Sequence, residues 1–124
     1  MLAGNVANWF EIPAPDLKRA TRFYESVLGV TLQQETMGPV QMAIFPHDPK
    51  LGGGCLAQGP GYRPSEEGAT VYLNLKQDLS APLERVKPAG GQVLLGKTPL
   101  PEGMGYFAQF VDSEGNRVGL YSPD

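Results

Sequence analysis

The sequence predicts an α+β fold built from two copies of a β-α-β-β-β module. Three observations lead there: an internal repeat, strands with period-two apolar alternation, and one helically spaced segment in each copy. The run NWFEIPAPD enters DLKRATRFYESVLGVTL, and the run ATVYLNLKQD enters DLSAPLERVKPAGGQVL. Asp16 and Asp78 open the two segments and Gly29 and Gly91 close them, both at an offset of 62 positions (78 − 16 and 91 − 29). Later, MAIF echoes FAQF at an offset of 65 positions (107 − 42). A repeat of this size exceeds most solenoid units and suits a duplicated α/β module.

The elements follow in order. Phe10, Ile12 and Ala14 alternate with Trp9, Glu11 and Pro13, the signature of a strand with one face on a core. Asp16 is placed to cap the next helix, its carboxylate accepting from first-turn N–H groups. Leu17, Ala20, Phe23 or Tyr24, Val27 and Leu28 recur at helical spacing, and Gly29 is a natural C-terminal stop. Residues 30–37 read as extended, Gly38-Pro39 as a turn, 41–45 as a strand, His47-Asp48-Pro49 as a turn and 53–58 as a strand. Residues 59–68 (GPGYRPSEEG) are polar and without period, and read as a linker between modules. The second module reads as strand 69–75, helix about 81–87, strands 92–98 and 106–111, the turn DSEGN and strand 117–121. Ser80 is the expected helix cap, Pro82 is tolerated in the first turn, and Pro88 with Gly90-Gly91 ends the helix. PLPEGMG (99–105) reads as a mobile loop. A ferredoxin-like β-α-β repeat is the alternative, and leaves one strand per module unplaced.

The 124 residues make one domain, with repeats at about 1–60 and 69–124 joined by the linker 59–68. A chain of this length buries about two-thirds of its unfolded surface and needs no covalent staple. Net charge is −3 with scattered basic residues, which argues against nucleic acid. The absence of an apolar run of about 18 residues argues against a membrane span, and the N-terminal residues do not read as a signal peptide. One cysteine, Cys55, cannot form an internal disulfide and fits a reducing cytoplasm.

The front, FEIPAPDLKRATRFYESVLG, and the end, FAQFVDSEGNRVGLYSPD, resemble the vicinal oxygen chelate superfamily, which includes glyoxalase I, bleomycin-resistance proteins and extradiol dioxygenases. The carrying features are a strand before Asp-Leu, then Phe-Tyr and Leu-Gly, and at the end Asp-x-x-Gly-Asn before a short apolar strand. The resemblance spans nearly the whole chain. It implies a curved mixed-sheet cup with helices on the convex side. Metal-using members hold a divalent ion in that cup, with ligands from the first and last strands of each module. Carried onto this chain, those four places are Trp9, Gly54, Thr70 and Gly119. Indole and glycine offer no side-chain ligand and threonine a poor one, so the resemblance implies no metal and no cofactor. A single His also excludes a two-His site within one chain.

In the same frame Trp9, Glu11, Thr70, Tyr72, Asn74, Phe107, Gln109, Arg117 and Tyr121 enter the cup and are the expected ligand-binding residues. Phe10, Ile12, Val71, Leu73, Leu75, Ala108 and Phe110 face the helices. Aromatic walls with a few fixed polar groups are the usual makeup of a small-molecule site. Glu11 and Tyr72 are the candidate catalytic pair, Glu11 as base or hydrogen-bond acceptor; the plainer reading pairs Glu11 with Arg117 or another cation. His47 is expected in an exposed turn and Cys55 is expected to point to the core. The glycines 52–54 lack the Lys and following helix of a phosphate loop. The expected function is metal-independent binding of a small molecule, as in the bleomycin-resistance branch. The alternatives are a lyase or isomerase using Glu11 and Tyr72 or an atypical metal site, and an interaction module whose cup is closed by a partner. A homodimer is the expected assembly, and the cups can close within one chain or by exchange between two.

Overall fold

The structure, a computed structural model, describes residues 2–124. The first module runs β1 (Trp9–Pro13), α1 (Leu17–Leu28), β2 (Gln33–Met37), β3 (Val40–Ile44) and β4 (Gly53–Gln58). The second runs β5 (Tyr72–Asn74), α2 (Ser80–Arg85), β6 (Gln92–Pro99), a 3-10 turn (Pro101–Gly103), β7 (Tyr106–Val111) and β8 (Arg117–Ser122). The two sheets have matching orders, β1-β4-β3-β2 and β5-β8-β7-β6. In each, the first strand runs parallel to the last and the other pairs are antiparallel. The β-α-β-β-β reading therefore holds for both copies, and the ferredoxin-like alternative does not.

Helix α1 forms as its sequence directs. Asp16 accepts from the Arg19 amide at 3.1 Å. Gly29 ends the helix at φ 67°, where a side chain would add strain. Leu17, Ala20, Phe23, Tyr24 and Val27 make its buried stripe. Helix α2 is shorter than expected, and Ser80 is not its cap. Instead Asp78 accepts from both the amide and hydroxyl of Ser80, at 2.9 and 2.7 Å. The regular part of β5 is also short, Tyr72–Asn74, because Lys76 and Gln77 bend toward the helix and residues 69–71 lie outside the ladder.

A structural two-fold relation between the modules appears in their joints. The Leu17 amide donates to Gln58 Oε1 at 2.8 Å, and the Leu79 amide to Ser122 Oγ at 3.1 Å. The Ala14 amide donates to the Ala57 carbonyl, and the Leu75 amide to that of Tyr121. In both copies the closing strand thus supplies an acceptor to the start of the helix, replacing one partner that helix geometry leaves missing.

One core serves both sheets. The Tyr24 ring lies 5.5 Å from Phe45 of the first module and 6.2 Å from Phe110 of the second. Phe23 packs 5.9 Å from Phe110. Ile12, Ala43, Leu56, Leu73, Ala108, Val118 and Leu120 complete the same cluster. Fully burying each large apolar side chain contributes roughly 1.5–3 kcal/mol. Polar bonds fix the same junction. Tyr24 Oη donates to buried Asp112 Oδ2 at 2.7 Å, and burial followed by the Asp112 charge holds the Tyr24 hydroxyl well above its ordinary pKa, so it stays a donor. Asn116 Nδ2 donates to the Pro13 carbonyl at 2.7 Å, and Arg19 pairs with Glu114 through bonds of 2.7 and 2.9 Å. Because this core covers the convex face of both sheets, the two concave faces are left open. The sheets do not close on each other within the chain. Among the described residues no helix is long and apolar enough to cross a membrane.

Candidate functional site

Strand register fixes which side chains share each concave face, since directly paired residues project to the same side. In the first module Trp9 pairs with Gly53 and Glu11 with Cys55. Ile44 pairs with Cys55, Met42 with Ala57, and Glu35 with Met42. In the second, Tyr72 pairs with Gly119 and Asn74 with Tyr121, while Gln109 pairs with Gly119 and Phe107 with Tyr121. The expected inward set from Trp9 through Tyr121 is thus found on concave faces, with Thr70 just ahead of β5, outside the ladder. Ala108 and Phe110 lie in the core as expected.

The set is divided between two faces. Trp9 and Glu11 occupy the first; Tyr72, Asn74, Phe107, Gln109, Arg117 and Tyr121 occupy the second. The shared core lies between, so Glu11 and Tyr72 do not meet within one chain. Nor does Glu11 pair with Arg117. Both carboxylate oxygens of Glu11 instead accept from Tyr62 Oη at 3.0 Å, and that bond, then burial, raises the Tyr62 pKa. Tyr62 sits in the segment read as a linker, and that segment is strapped down. Ser65 accepts from the Arg117 amide at 3.2 Å and donates its own amide to Asn116 Oδ1 at 3.2 Å. Sequence reading missed Tyr62 because a Gly- and Pro-rich stretch has no periodicity to assign its side chains.

Cys55 is buried as expected, but outside the core cluster that the two modules share. Its pairing with Glu11 puts it on the concave side, fully buried in a small cluster with Met42 and Ala57, against Tyr62. Burial first, and the Glu11 charge second, push its thiol up to about 11, while a contact with Trp9 acts the other way. His47 is exposed in its turn as expected, yet its ring lies against Gly53 and 5.6 Å from Trp9, edge to face.

On the second face Tyr72 lies directly over Gly119, where any β-carbon would collide with the ring. Gln109 Nε2 donates to Tyr72 Oη at 2.6 Å, and the Tyr72 and Phe107 rings meet edge to face at 6.1 Å and 66°. Tyr72, Asn74, Leu100, Phe107 and Tyr121 line a cleft of about 650 Å³. Tyr121 Oη donates to the Met104 carbonyl at 2.8 Å and so ties the 99–105 loop to this face. Arg117 makes no ion pair among the described residues, and its buried Nε has no hydrogen-bond partner there. A second cleft of about 510 Å³ adjoins Leu100 from the other side. Two of its charges satisfy each other: Lys97 lies 2.8 Å from Asp78, and also over the Tyr106 ring.

The family's ligand places can now be set by geometry. The joints equate Gln58 with Ser122 and Ala14 with Leu75. Counting back along the strands, Thr70 is the counterpart of Trp9, as the sequence frame had it. The counterpart of Gly119 is Cys55 and not Gly54, which faces the other side of its sheet and lies against Phe10. The frame slipped by one residue because the joints set the closing strands 64 positions apart (122 − 58), one fewer than the 65 of MAIF and FAQF. The corrected set, Trp9, Cys55, Thr70 and Gly119, contains one thiol, and no group of three or more His, Cys, Asp or Glu that could hold a metal occurs among the described residues. These donors do not fit the divalent ion of the metal-using members.

Known proteins place the fold. The family model of the Glyoxalase/Bleomycin resistance protein/Dioxygenase superfamily matches residues 6–120. A glyoxylase-like domain-containing protein of Didymella fabae is 32% identical, over 94% of this chain and 91% of its own. Glyoxalase I of Zea mays superposes at TM-score 0.67 with 25% identity, over 93% of this chain; the chain spans only 45% of that protein. A glyoxalase-related enzyme from Fulvimarina pelagi (TM-score 0.65, 19% identity, 94% and 86% of the two chains) and a fosfomycin resistance protein from Listeria monocytogenes (0.61, 14%, 98% and 94%) share the fold. With two matching modules, the profile match and the relative together, the chain belongs to the Glyoxalase/Bleomycin resistance protein/Dioxygenase superfamily, in the vicinal oxygen chelate fold.

Proposed function

We propose that this protein binds a small, partly aromatic molecule on its concave faces without a metal ion. The observation that carries this reading is the cleft at Tyr72, Asn74, Phe107 and Tyr121, apolar in its walls, with one phenol held in place by Gln109. Aromatic walls with few, oriented polar groups favour binding and orientation. The donor set at the family's ligand places supplies no Lewis acid, which in metal-using chemistry is worth several kcal/mol at the transition state.

Each site is completed by a second copy. The faces of one chain look away from each other, and they differ in charge. The first carries Glu11 and Glu35 and no Lys or Arg on its concave strand positions; the second carries Arg117. Apposing the first face of one copy with the second face of another covers Trp9 and Tyr72, 41% and 42% exposed in the single chain. The buried free thiol fits a cytoplasmic setting. An enzymatic reading, with Glu11 and Tyr72 in proton transfer, requires this pairing.

The test is a metabolite-library titration followed by Trp9 fluorescence, with sedimentation to give the oligomeric state and metal analysis of protein purified with and without chelator. Saturable ligand-dependent quenching by a dimer, unchanged by chelator, is expected. Stoichiometric metal whose removal abolishes binding overturns the metal-free reading. Turnover of any bound compound that disappears in Glu11→Gln favours the enzyme.

A further inference from the structure

The first concave face has a feature that general small-molecule binding does not require: a carboxylate bonded to one phenol, on the same strand face as an indole, and without an ion pair. Glu11 forms no ion pair among the described residues. Its charge is oriented, not neutralised, by the Tyr62 hydroxyl. Trp9 stands two residues before it on the same face of β1, which sets their α-carbons about 6.6 Å apart. His47 turns its ring toward the indole at 5.6 Å. No Lys or Arg occupies a concave position of the four strands, and Glu35 adds a second acid at the far edge.

We infer that this face takes the positively charged end of an organic ammonium ligand, with Glu11 as counter-ion and Trp9 and Tyr62 as ring walls. An indole face attracts a cation through its quadrupole, and aromatic walls beside an acid select alkylated ammonium groups, whose low hydration makes them inexpensive to bury. A carboxylate partner would meet like charge here, and a neutral one would leave the acid desolvated without return. Tyr62 is the positioning residue. Its hydroxyl bridges both oxygens and holds the carboxylate plane fixed before ligand arrives. The inference rests on the small-molecule reading above and assigns the ligand's charge to one half of the site.

The experiment uses the whole chain and three probes of one shape: benzyltrimethylammonium, benzyl alcohol and benzoate, titrated by NMR with the Trp9 indole N–H and the Tyr72 ring as reporters. The ammonium probe is expected to shift Trp9 with a Kd at least tenfold below that of benzyl alcohol, and to weaken several-fold between 0.05 and 0.5 M salt, roughly as screening of an exposed charge pair demands. Glu11→Gln, an exposed change that keeps the fold, is expected to erase the preference, and Tyr62→Phe to reduce it. Equal affinity for the neutral probe, or full ammonium affinity in Glu11→Gln, overturns the inference. If benzyl alcohol or benzoate shifts Tyr72 while the ammonium leaves Trp9 unmoved, the binding reading stands and the charge assignment falls. Silence from all three probes overturns the charge assignment, and failure of the metabolite library as well removes the binding reading.

Discussion

The two modules share a backbone plan but differ in what their open faces carry. On the convex side they are interchangeable in kind: Ile12, Ala43 and Leu56 in one copy answer Leu73, Ala108 and Leu120 in the other, all in one cluster. On the concave side one copy presents an acid, an indole and a buried thiol; the other presents phenols, amides and a lone guanidinium. The shared core explains the difference. A residue facing it must match partners from both modules, whereas a residue on a concave face has partners from one module only, as Cys55 has in Met42, Ala57 and Tyr62, or meets solvent. Close packing restricts change at the first kind of position far more than at the second.

The largest expected effect attacks the shared core. Phe110→Ala removes a fully buried ring that touches Phe23 and Tyr24 of the other module. Such truncations cost about 3–5 kcal/mol. Denaturant unfolding followed separately at Trp9 and by far-UV circular dichroism is expected to keep one coincident transition, shifted to lower midpoint. Two separated transitions would mean that the modules are independent and the comparison has the wrong basis.

Next come the two helix-start joints. Ser122→Ala leaves the Leu79 amide without its acceptor in a buried place, at a cost of about 1–3 kcal/mol. Gln58→Ala removes the equivalent acceptor from Leu17 where water has partial access, and about 0.5–1.5 kcal/mol is expected. Chemical denaturation of both variants checks the ranking. Equal losses would show that solvent access does not separate the two copies.

Acid separates a junction from a single module. Burial works to raise the Glu114 pKa, but the Arg19 bond, with Ser113 and the Asp16 amide, overcomes it and leaves the group below its ordinary value. Asp78 is lowered to about 2, first by Lys97 and then by Ser80. A carboxylate depressed in the folded state stabilises above its unfolded pKa and loses that contribution as pH falls through the folded one. Midpoints are therefore expected to be flat above pH 5 and to fall from about pH 4 toward 2. Glu114→Gln is expected to flatten part of that fall, and Asp78→Asn a smaller part, because its exposed pair is screened by solvent. At the other end, the Cys55 thiol is raised to about 11. Its contribution is present below pH 9 and is lost as pH rises through 11.

How far the sequence disclosed all this depends on the residue. Strand order, the α1 stripe and the Asp16 and Gly29 stops were legible because each leaves a local chemical mark. The inward set was legible because alternation carries through a strand without interruption. The repeat offset of 65 failed at the closing strands, which the joints set 64 apart (122 − 58), and there Gly54 was put in the place of Cys55. Alternation also cannot say which sheet faces touch a common core, so the separation of Glu11 from Tyr72 was not readable. Asp112 passed for a turn residue, although Tyr24, 88 positions away, and Asn116 make it the buried centre of the junction. Asp78 and Ser80 show the limit in small: both are good caps by chemistry, yet Leu79 holds the cap position and no side chain caps the helix.

The smallest expected effect on stability is the most informative about function. Tyr62→Phe removes a hydroxyl from an exposed bond and keeps the ring that shields Cys55. Surface changes of this kind stay within about 0.5 kcal/mol, so the unfolding midpoint is expected to be unchanged. Two other readouts divide the possible roles of the residue. If Tyr62 only covers the thiol, Tyr62→Phe leaves both alkylation of Cys55 and ligand affinity as they were, and Tyr62→Ala speeds alkylation of the native protein. If it holds the Glu11 carboxylate for a ligand, Tyr62→Phe alone lowers affinity at constant stability, while Gln109→Leu, its nearest analogue on the other face, does so by releasing Tyr72. Equal sensitivity of one ligand to both changes would mean that it touches both faces, and so that two chains build each site.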